Sequence, residues 1–328
     1  MVEVVYEGHT YTLEKGETLL DGLLAQGVSV PHGCRTGSCQ SCLMRCSDGD
    51  IPKAAQENLK DSQILNRQLL ACQCIPEGPM HLNLPASESS RFKATVEHLR
   101  RLNPRIMEVS LKVDVDYDYR AGQFLHLYRP DGMGRCYSLA SVPSLDFDLV
   151  LHVQSYPGGA LSQWIHQELS VGDKVTLSDA SGDCIYIPGT PDQPLLLIGT
   201  GSGLAPLYGI LRDALDQGHE GPIHLYHGSR TEEGLYLEDE LHVLMNLHPQ
   251  FKYQPCISGP TTDPRPPLLS GRAADLALAA HTDLRGWRVY LCGHPDMVQS
   301  TQFQVFLAGA SPKEIHVDAF DSQAPKTP

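Results

Sequence analysis

The chain has 328 residues, 41% hydrophobic and 20% charged, an ordinary globular composition with length for two or three domains and ample core. It contains no apolar run long enough to span a bilayer. A formal net charge of −14 sets it against nucleic acid and anionic membrane, and suits docking to a basic patch on a protein partner.

Residues 1–86 read as a small β-rich domain. Val2 to Tyr6 and Thr10 to Leu13 form a hairpin around Glu7-Gly8-His9. Thr18 is placed to cap a short helix through Ala25, with Gly27 as its stop. Leu43 to Cys46 reads as a strand turned by Ser47-Asp48-Gly49-Asp50. Between helix and strand, Cys34, Cys39 and Cys42 are spaced C-x4-C-x2-C, and Cys72 follows after a long gap. That is the plant-type pattern for holding a [2Fe–2S] cluster. Gly33, Gly37 and the small residues beside them let a tight loop turn its backbone N–H groups toward the sulfurs.

Two other uses of cysteine compete. Disulfides are disfavoured because the chain starts at Met1 without a charged-then-apolar leader, so a cytoplasmic setting with reduced thiols is expected. Zinc usually takes a second C-x2-C knuckle, whereas only Cys72-Gln73-Cys74 follows here. Cys46 and Cys74 are left over, and position alone leaves Cys74 as a rival to Cys72 for the fourth ligand. The polar, breaker-rich stretch Pro85-Ala86-Ser87-Glu88-Ser89-Ser90 reads as a linker.

Residues 92–190 are dominated by short strands: Phe92 to Leu99, Ile106 to Val113, Gln123 to Tyr128, Cys136 to Ser141, Phe147 to Gln154 and Lys174 to Ser178. One helix, Leu161 to Gln167, interrupts them, and the pattern suggests a closed antiparallel barrel. Arg135-Cys136-Tyr137-Ser138 places Arg135 and Tyr137 on one face of a strand and Ser138 on the other. Arginine offers a bidentate grip on phosphate, and a tyrosine ring packs against an isoalloxazine or ribose. The plain alternatives are a surface charge and a core aromatic. Gly158-Gly159-Ala160-Leu161-Ser162 opens the helix with N–H groups free for a phosphate. Arg100, Arg101 and Arg105 read as a solvated basic face, with a role in orienting the first domain as the rival view. Pro188-Gly189-Thr190-Pro191 marks the next boundary.

From 191 to 328, buried strands alternate with helices. Leu195 to Ile198, Ile223 to His227, Phe251 to Ile257, Arg288 to Cys292 and Ile315 to Asp318 are the strands. A helix through Leu215 and others from Glu238, Ala273 and Pro295 fall between, implying a parallel sheet covered on both faces. The turn Gly199-Thr200-Gly201-Ser202-Gly203-Leu204-Ala205-Pro206 follows the first of these strands and opens a helix, which suits a pyrophosphate. Its third glycine comes too early for strict G-x-G-x-x-G, so a ligand-free glycine turn is the alternative. Cys292-Gly293-His294-Pro295-Asp296-Met297 ends another strand and faces the same crevice in a doubly wound sheet. Cys292 is open between a nicotinamide contact and a small buried hydrophobe. His224 and His227 suggest packing or surface polarity rather than a further metal, and Ser322 to Pro328 reads as a frayed end.

With these four elements in this order, the chain resembles the reductase components of bacterial multicomponent oxygenases, above all those of aromatic-ring dioxygenases. The resemblance covers residues 1 to about 320. It implies a multidomain α+β and α/β protein: a β-grasp [2Fe–2S] ferredoxin domain (1–86), an antiparallel β-barrel FAD domain (92–190) and a doubly wound parallel-sheet NAD domain (191–328). It implies Cys34, Cys39, Cys42 and Cys72 as cluster ligands, the last within Leu70-Ala71-Cys72-Gln73. It assigns FAD to Arg135, Tyr137, Ser138, Gly159, Leu161 and Ser162. It assigns the nicotinamide cofactor to Gly199, Thr200, Gly201, Ser202, Gly203, Pro206, Cys292, Gly293, Pro295 and Met297, with Phe320 of Asp318-Ala319-Phe320 near the flavin. Two departures stand out. The family's Gly-Pro-x-Gly is Asp179-Ala180-Ser181-Gly182 here, which puts the loop near the flavin in doubt, and an often basic position is Gln154.

A nicotinamide gives two electrons together and the cluster takes one at a time, so a flavin that holds two and releases them singly explains three sites on one chain. The expected route runs from NADH to FAD to the cluster, then to an oxygenase component or its ferredoxin in aromatic compound degradation, with no catalytic acid or base. Arg230, at the end of the strand carrying His227, is the position that would accept a 2′-phosphate, so NADH with some NADPH use is expected. A monomer is expected. The rivals are a reductase supplying a deoxysugar-pathway dehydratase and a redox-sensing protein without turnover.

Overall fold

Apolar alternation builds the first hairpin: Val4, Tyr6 and Leu13 are buried while Glu3, Thr10 and Thr12 face solvent. Strands β1 (Val2–Tyr6) and β2 (His9–Leu13) pair antiparallel. Helix α1 (Leu19–Ala25) buries Leu19, Leu20 and Leu23 and is capped by Thr18, whose Oγ1 accepts from the Asp21 N–H at 3.1 Å. Then come β3 (Leu43–Asp48), α2 (Asp61–Leu65), β4 (Gln68–Leu70) and β5 (Met80–Asn83). The sheet order is β2-β1-β5-β3-β4, with β1 and β5 parallel, a β-grasp arrangement. The last three elements run five, three and four residues and were not expected from the sequence.

The computed structural model describes residues 1–37, 39–84, 91–260 and 268–320, so the expected linker 85–90 and frayed end 322–328 lie outside the described residues. The chain divides into two units, Met1–Ser90 and Arg91–Pro328. No helix among the described residues is long and apolar enough to cross a membrane.

The second unit begins with a six-stranded antiparallel barrel of β6 (Phe92–Asn103), β7 (Ile106–Val113), β8 (Phe124–Tyr128), β9 (Gly134–Ser138), β10 (Leu149–Gln154) and β11 (Lys174–Leu177). Their order is β10-β7-β6-β11-β8-β9, and an antiparallel bridge between Leu139 and Leu151 joins the two ends. β6 runs four residues past the expected end at Leu99. Arg100 stays in the ladder because its partner across the strands is Glu108, whose carboxylate accepts from Nε at 2.9 Å and Nη2 at 3.0 Å. Arg100, Arg101 and Arg105 are all exposed, and Arg100 also reaches Glu240 at 3.2 Å. Helix α3 (Ala160–Gln167) plugs the barrel with Leu161 and Ile165.

A fully parallel sheet follows: β12 (Leu195–Thr200), β13 (Ile223–Ser229), β14 (Phe251–Ile257), β15 (Leu269–Ser270), β16 (Arg288–Gly293) and β17 (Ile315–Ala319), ordered β15-β14-β13-β12-β16-β17. Helices α4 (Leu204–Asp216) and α5 (Glu238–Leu247) cover one face, α6 (Ala273–Ala280) and α7 (Pro295–Leu307) the other. Leu195, Leu196, Leu197 and Ile198 are all buried because β12 is central and covered twice. Barrel and sheet share one apolar cluster, in which Ile106, Cys184 and Tyr186 pack with Leu207, Ile210 and Cys292. Arg212 on α4 makes a bidentate pair with Asp146 at 2.8 and 2.9 Å across the same seam.

Candidate functional site

In the first unit, the loop between α1 and β3 folds around sulfur. The N–H groups of Thr36 and Cys39 donate to Cys34 Sγ at 3.4 and 3.3 Å, and the Cys34 N–H donates to Cys39 Sγ at 3.4 Å. Arg35 and Gln40 have positive φ, as does Gly37, where a Cβ would come within 3.1 Å of Asn58 and Gln73. The hydroxyl and N–H of Thr36, with the Cys39 N–H, hold the Cys34 thiol down to about 6. Ser41 acts likewise on Cys39, whose thiol is also lowered.

Cys42 and Cys72 form a second pair. Antiparallel pairing of Leu43 with Leu70 brings their segments together, and the Ala71 N–H donates to the Cys42 carbonyl at 3.0 Å. Burial pushes the Cys42 thiol up to about 11, with the Cys72 thiol as its neighbour. Gln73 Nε2 donates to the Arg35 carbonyl at 3.1 Å and approaches Cys72 Sγ at 3.5 Å, tying the two segments. Two sulfur pairs ringed by N–H donors fit a bridged pair of irons. Cys46 and Cys74 sit in the core, fully buried, and burial pushes Cys74 up to about 12.

In the second unit, residues far apart in sequence meet where the barrel abuts the carboxyl ends of β12, β16 and β17. Tyr137 packs against the barrel core, Arg135 is exposed with Nη1 on the Gly134 carbonyl at 2.8 Å, and Ser138 is buried. The Ser138 hydroxyl donates to Asp318 Oδ2 at 2.6 Å. Burial, with the charge of Asp183, raises the Asp318 carboxyl to about 6 against the pull of that hydrogen bond. Asp318 pairs with Cys292 in the β16–β17 register, and Cys292 Sγ lies 3.7 Å from Cys184 Sγ. The Phe320 N–H donates to the Gly293 carbonyl at 2.8 Å.

The two nucleotide-type turns lie against each other because Gly199 on β12 is beside Cys292 on β16. A Cβ on Gly203 would sit 2.3 Å from the Cys292 carbonyl oxygen, so only glycine permits this approach. Thr200 Oγ1 accepts from the His294 N–H at 3.3 Å, and Pro206 occupies the first turn of α4. Pro295 starts α7 behind its cap His294. Met297 is the residue not brought into this group, since it packs on the far side with the α6–α7 core. Arg230 is exposed just beyond β13. Gly159 caps α3, Ser162 Oγ donates back to the Gly159 carbonyl at 3.2 Å, and the Leu161 side chain fills the barrel, leaving its backbone N–H as its polar group there.

The altered loop Asp179-Ala180-Ser181-Gly182 is tied to the start of β8. Phe124 and Ser181 exchange N–H···O bonds at 2.8 Å, and Gln123 Nε2 donates to the Gly182 carbonyl at 3.1 Å. Gln154 Oε1 accepts from the Ser202 N–H at 3.3 Å, so a neutral side chain stands beside the turn. Sequence reasoning missed Cys184 and the Ser138–Asp318 contact, whereas the packing expected of His227 matches its full burial. No spacing rule links residues 180 apart.

Three family descriptions match consecutive parts of the chain: 2Fe-2S iron-sulfur cluster binding domain over 3–77, oxidoreductase FAD-binding domain over 93–186, and oxidoreductase NAD-binding domain over 197–302. The ferredoxin–NAD(P)(+) reductase component of the naphthalene 1,2-dioxygenase/salicylate 5-hydroxylase systems of a Ralstonia species is 33% identical, covering 94% of each chain. The aromatic O-demethylase reductase subunit of an Amycolatopsis strain is 32% identical over 95% of this chain and 96% of that one. The crystal structure of Amycolatopsis cytochrome P450 reductase GcoB superposes with a TM-score of 0.69 at 30% identity, covering 98% of this chain and 99% of that chain. The chain is thus an NAD(P)H oxidoreductase with FAD and [2Fe–2S] domains, and it belongs to the family of iron–sulfur flavoprotein reductases that serve as reductase components of oxygenase systems.

Proposed function

We propose that this chain draws electrons from NADH and delivers them to the terminal component of an aromatic-ring oxygenase or to its ferredoxin. The observation that carries the reading is the meeting of Ser138, Asp318, Cys292, Gly293 and Phe320 at the seam between barrel and sheet. When bound, the nicotinamide supplies a hydride, the flavin stores its two electrons and the cluster passes them on singly. The modules 1–86, 92–190 and 191–328 carry cluster, flavin and nucleotide in that order. One chain holds every site, so a monomer suffices.

Arg135 grips a flavin phosphate and Tyr137 packs its ring against the cofactor, while the N–H groups of Gly159 and Leu161 and the hydroxyl of Ser162 receive the pyrophosphate. Ser138 Oγ keeps a proton directed at Asp318 Oδ2, which fixes the hydroxyl at the seam. The turn Gly199 to Pro206 and the turn Cys292 to Pro295 hold the nicotinamide nucleotide; Met297 supports the second turn from beneath. Cys34, Cys39, Cys42 and Cys72 hold the irons. Cys34 and Cys39 are exposed while Cys42 and Cys72 are buried, which directs the first pair toward an incoming partner. Arg230 admits NADPH without excluding NADH.

The test is the visible spectrum of purified protein, with iron, sulfide and flavin content, before and after NADH. Stoichiometric flavin and two irons per chain, both chromophores bleaching on addition, is the expected result. A flavin that NADH leaves oxidised sinks the reading.

A further inference from the structure

Behind the glycine turn, on the covered face of the nucleotide sheet, lies a hydrogen-bonded group of aromatic side chains. His227 on β13 is fully buried. Its Nε2 lies 3.3 Å from the Gly201 carbonyl oxygen and its Nδ1 lies 3.4 Å from the Tyr253 hydroxyl. A carbonyl only accepts, so Nε2 carries the proton, and Nδ1 must accept from Tyr253. The Tyr236 ring stands edge-on to His227 at 5.4 Å, and its hydroxyl reaches His152 Nδ1 in the barrel at 3.3 Å.

The consequence follows from one peptide plane. The Gly201 carbonyl and the Ser202 N–H belong to the same trans peptide and point in opposite directions. Fixing the oxygen inward on His227 therefore aims the Ser202 N–H outward, where Gln154 Oε1 now accepts it. Gly201 has φ +55°, so the turn adopts a left-handed backbone that glycine alone would readily leave. The Leu204 N–H holds the Gly201 carbonyl within the turn itself, and His227 adds a side-chain donor from below.

We propose that His227 is a positioning residue for nicotinamide nucleotide binding: it clamps the Gly201 carbonyl and so presents the N–H groups of the turn to the dinucleotide. The inference rests on the reading of Gly199 to Pro206 as the nucleotide site. Tyr253 locks the required tautomer. No contact between His227 and the nucleotide is involved.

The experiment measures NAD+ binding by titration calorimetry and NADH kinetics with ferricyanide, on flavin-loaded full-length protein, for H227L, H227Q, Y253F and G201A. One neutral hydrogen bond corresponds to about a twofold to tenfold change in affinity. H227L is expected to weaken NAD+ binding and raise KM for NADH by about that factor, with kcat held within roughly twofold. H227Q restores an N–H donor and regains most of the affinity. Y253F keeps the ring, frees the tautomer and gives a smaller loss in the same direction; it decides the matter should H227L not fold. Unchanged affinity in both H227L and Y253F, or H227Q no better than H227L, overturns the proposal. G201A separates the two levels: lost affinity there with intact affinity in H227L defeats His227 alone, whereas intact affinity in G201A defeats the site reading itself.

Discussion

Ser138 ends strand β9 of the barrel and Asp318 lies in the last strand of the nucleotide sheet, yet the serine hydroxyl donates to Asp318 Oδ2 at 2.6 Å. The bond crosses 180 residues and joins barrel and sheet within the second unit. Because Asp318 is buried, its carboxyl is raised from 3.8 to about 6.

Two results follow for that pair. S138A slows flavin reduction by NADH, followed by stopped-flow absorbance, by roughly tenfold to a hundredfold, the equivalent of one hydrogen bond to a charged group. The wild-type rate carries a pH inflection near 6 that D318N abolishes. In stability the sign is opposite to that of an ordinary carboxylate. A folded value above 3.8 favours folding at low pH and costs stability as pH rises through about 6, so D318N is more stable than wild type to chemical unfolding at pH 8, by at most about 3 kcal/mol.

Removing a cluster ligand separates the two redox centres. C34S, C39S, C42S and C72S each lose the paramagnetic signal seen after dithionite, and cytochrome c reduction falls by on the order of a hundredfold, while NADH-dependent ferricyanide reduction persists. C46S and C74S keep the signal. C74S loses about 1–3 kcal/mol in chemical unfolding, because its hydroxyl replaces a fully buried thiol.

Arg230 is the residue proposed to take a 2′-phosphate. R230A raises KM for NADPH by about tenfold, the equivalent of one charge-assisted bond, and leaves KM for NADH within about twofold. Steady-state kinetics with both cofactors reads this directly. A strong NADPH preference in the wild type contradicts it.

Acid weakens the second unit through its neutral histidines. Burial holds His152 at about 3 and His227 at about 4, so the unfolded chain binds more protons at every pH between those values and 6.5. Stability is full above pH 6.5 and falls as pH drops, by up to about 2 kcal/mol per histidine at pH 5. Urea midpoints at pH 7 and pH 5 measure it, and Asp318 offsets part of the loss. H152F or H227F each narrows the gap between the two midpoints.

Much was legible because it is local or periodic. Cys34, Cys39 and Cys42 lie in one nine-residue loop, and their spacing states the chemistry without any fold. Ile106 to Val113 and Phe251 to Ile257 read as strands at the observed limits because burial repeats along them. Glycine turns after buried strands disclosed the nucleotide face for the same reason. Asp61–Leu65, Gln68–Leu70 and Met80–Asn83 were not read as elements, and Gln68–Leu70 is buried at every position, so no alternation marks it.

What the sequence determined by itself is therefore the set of chemical groups and their order along the chain, since each motif is held within a few bonds of its own backbone. Tertiary structure alone decided which distant side chains meet: Ser138 with Asp318, Cys184 with Cys292, His227 with the Gly201 carbonyl. Those pairings depend on how barrel and sheet pack, which is fixed by the sum of many weak apolar contacts that no single spacing encodes.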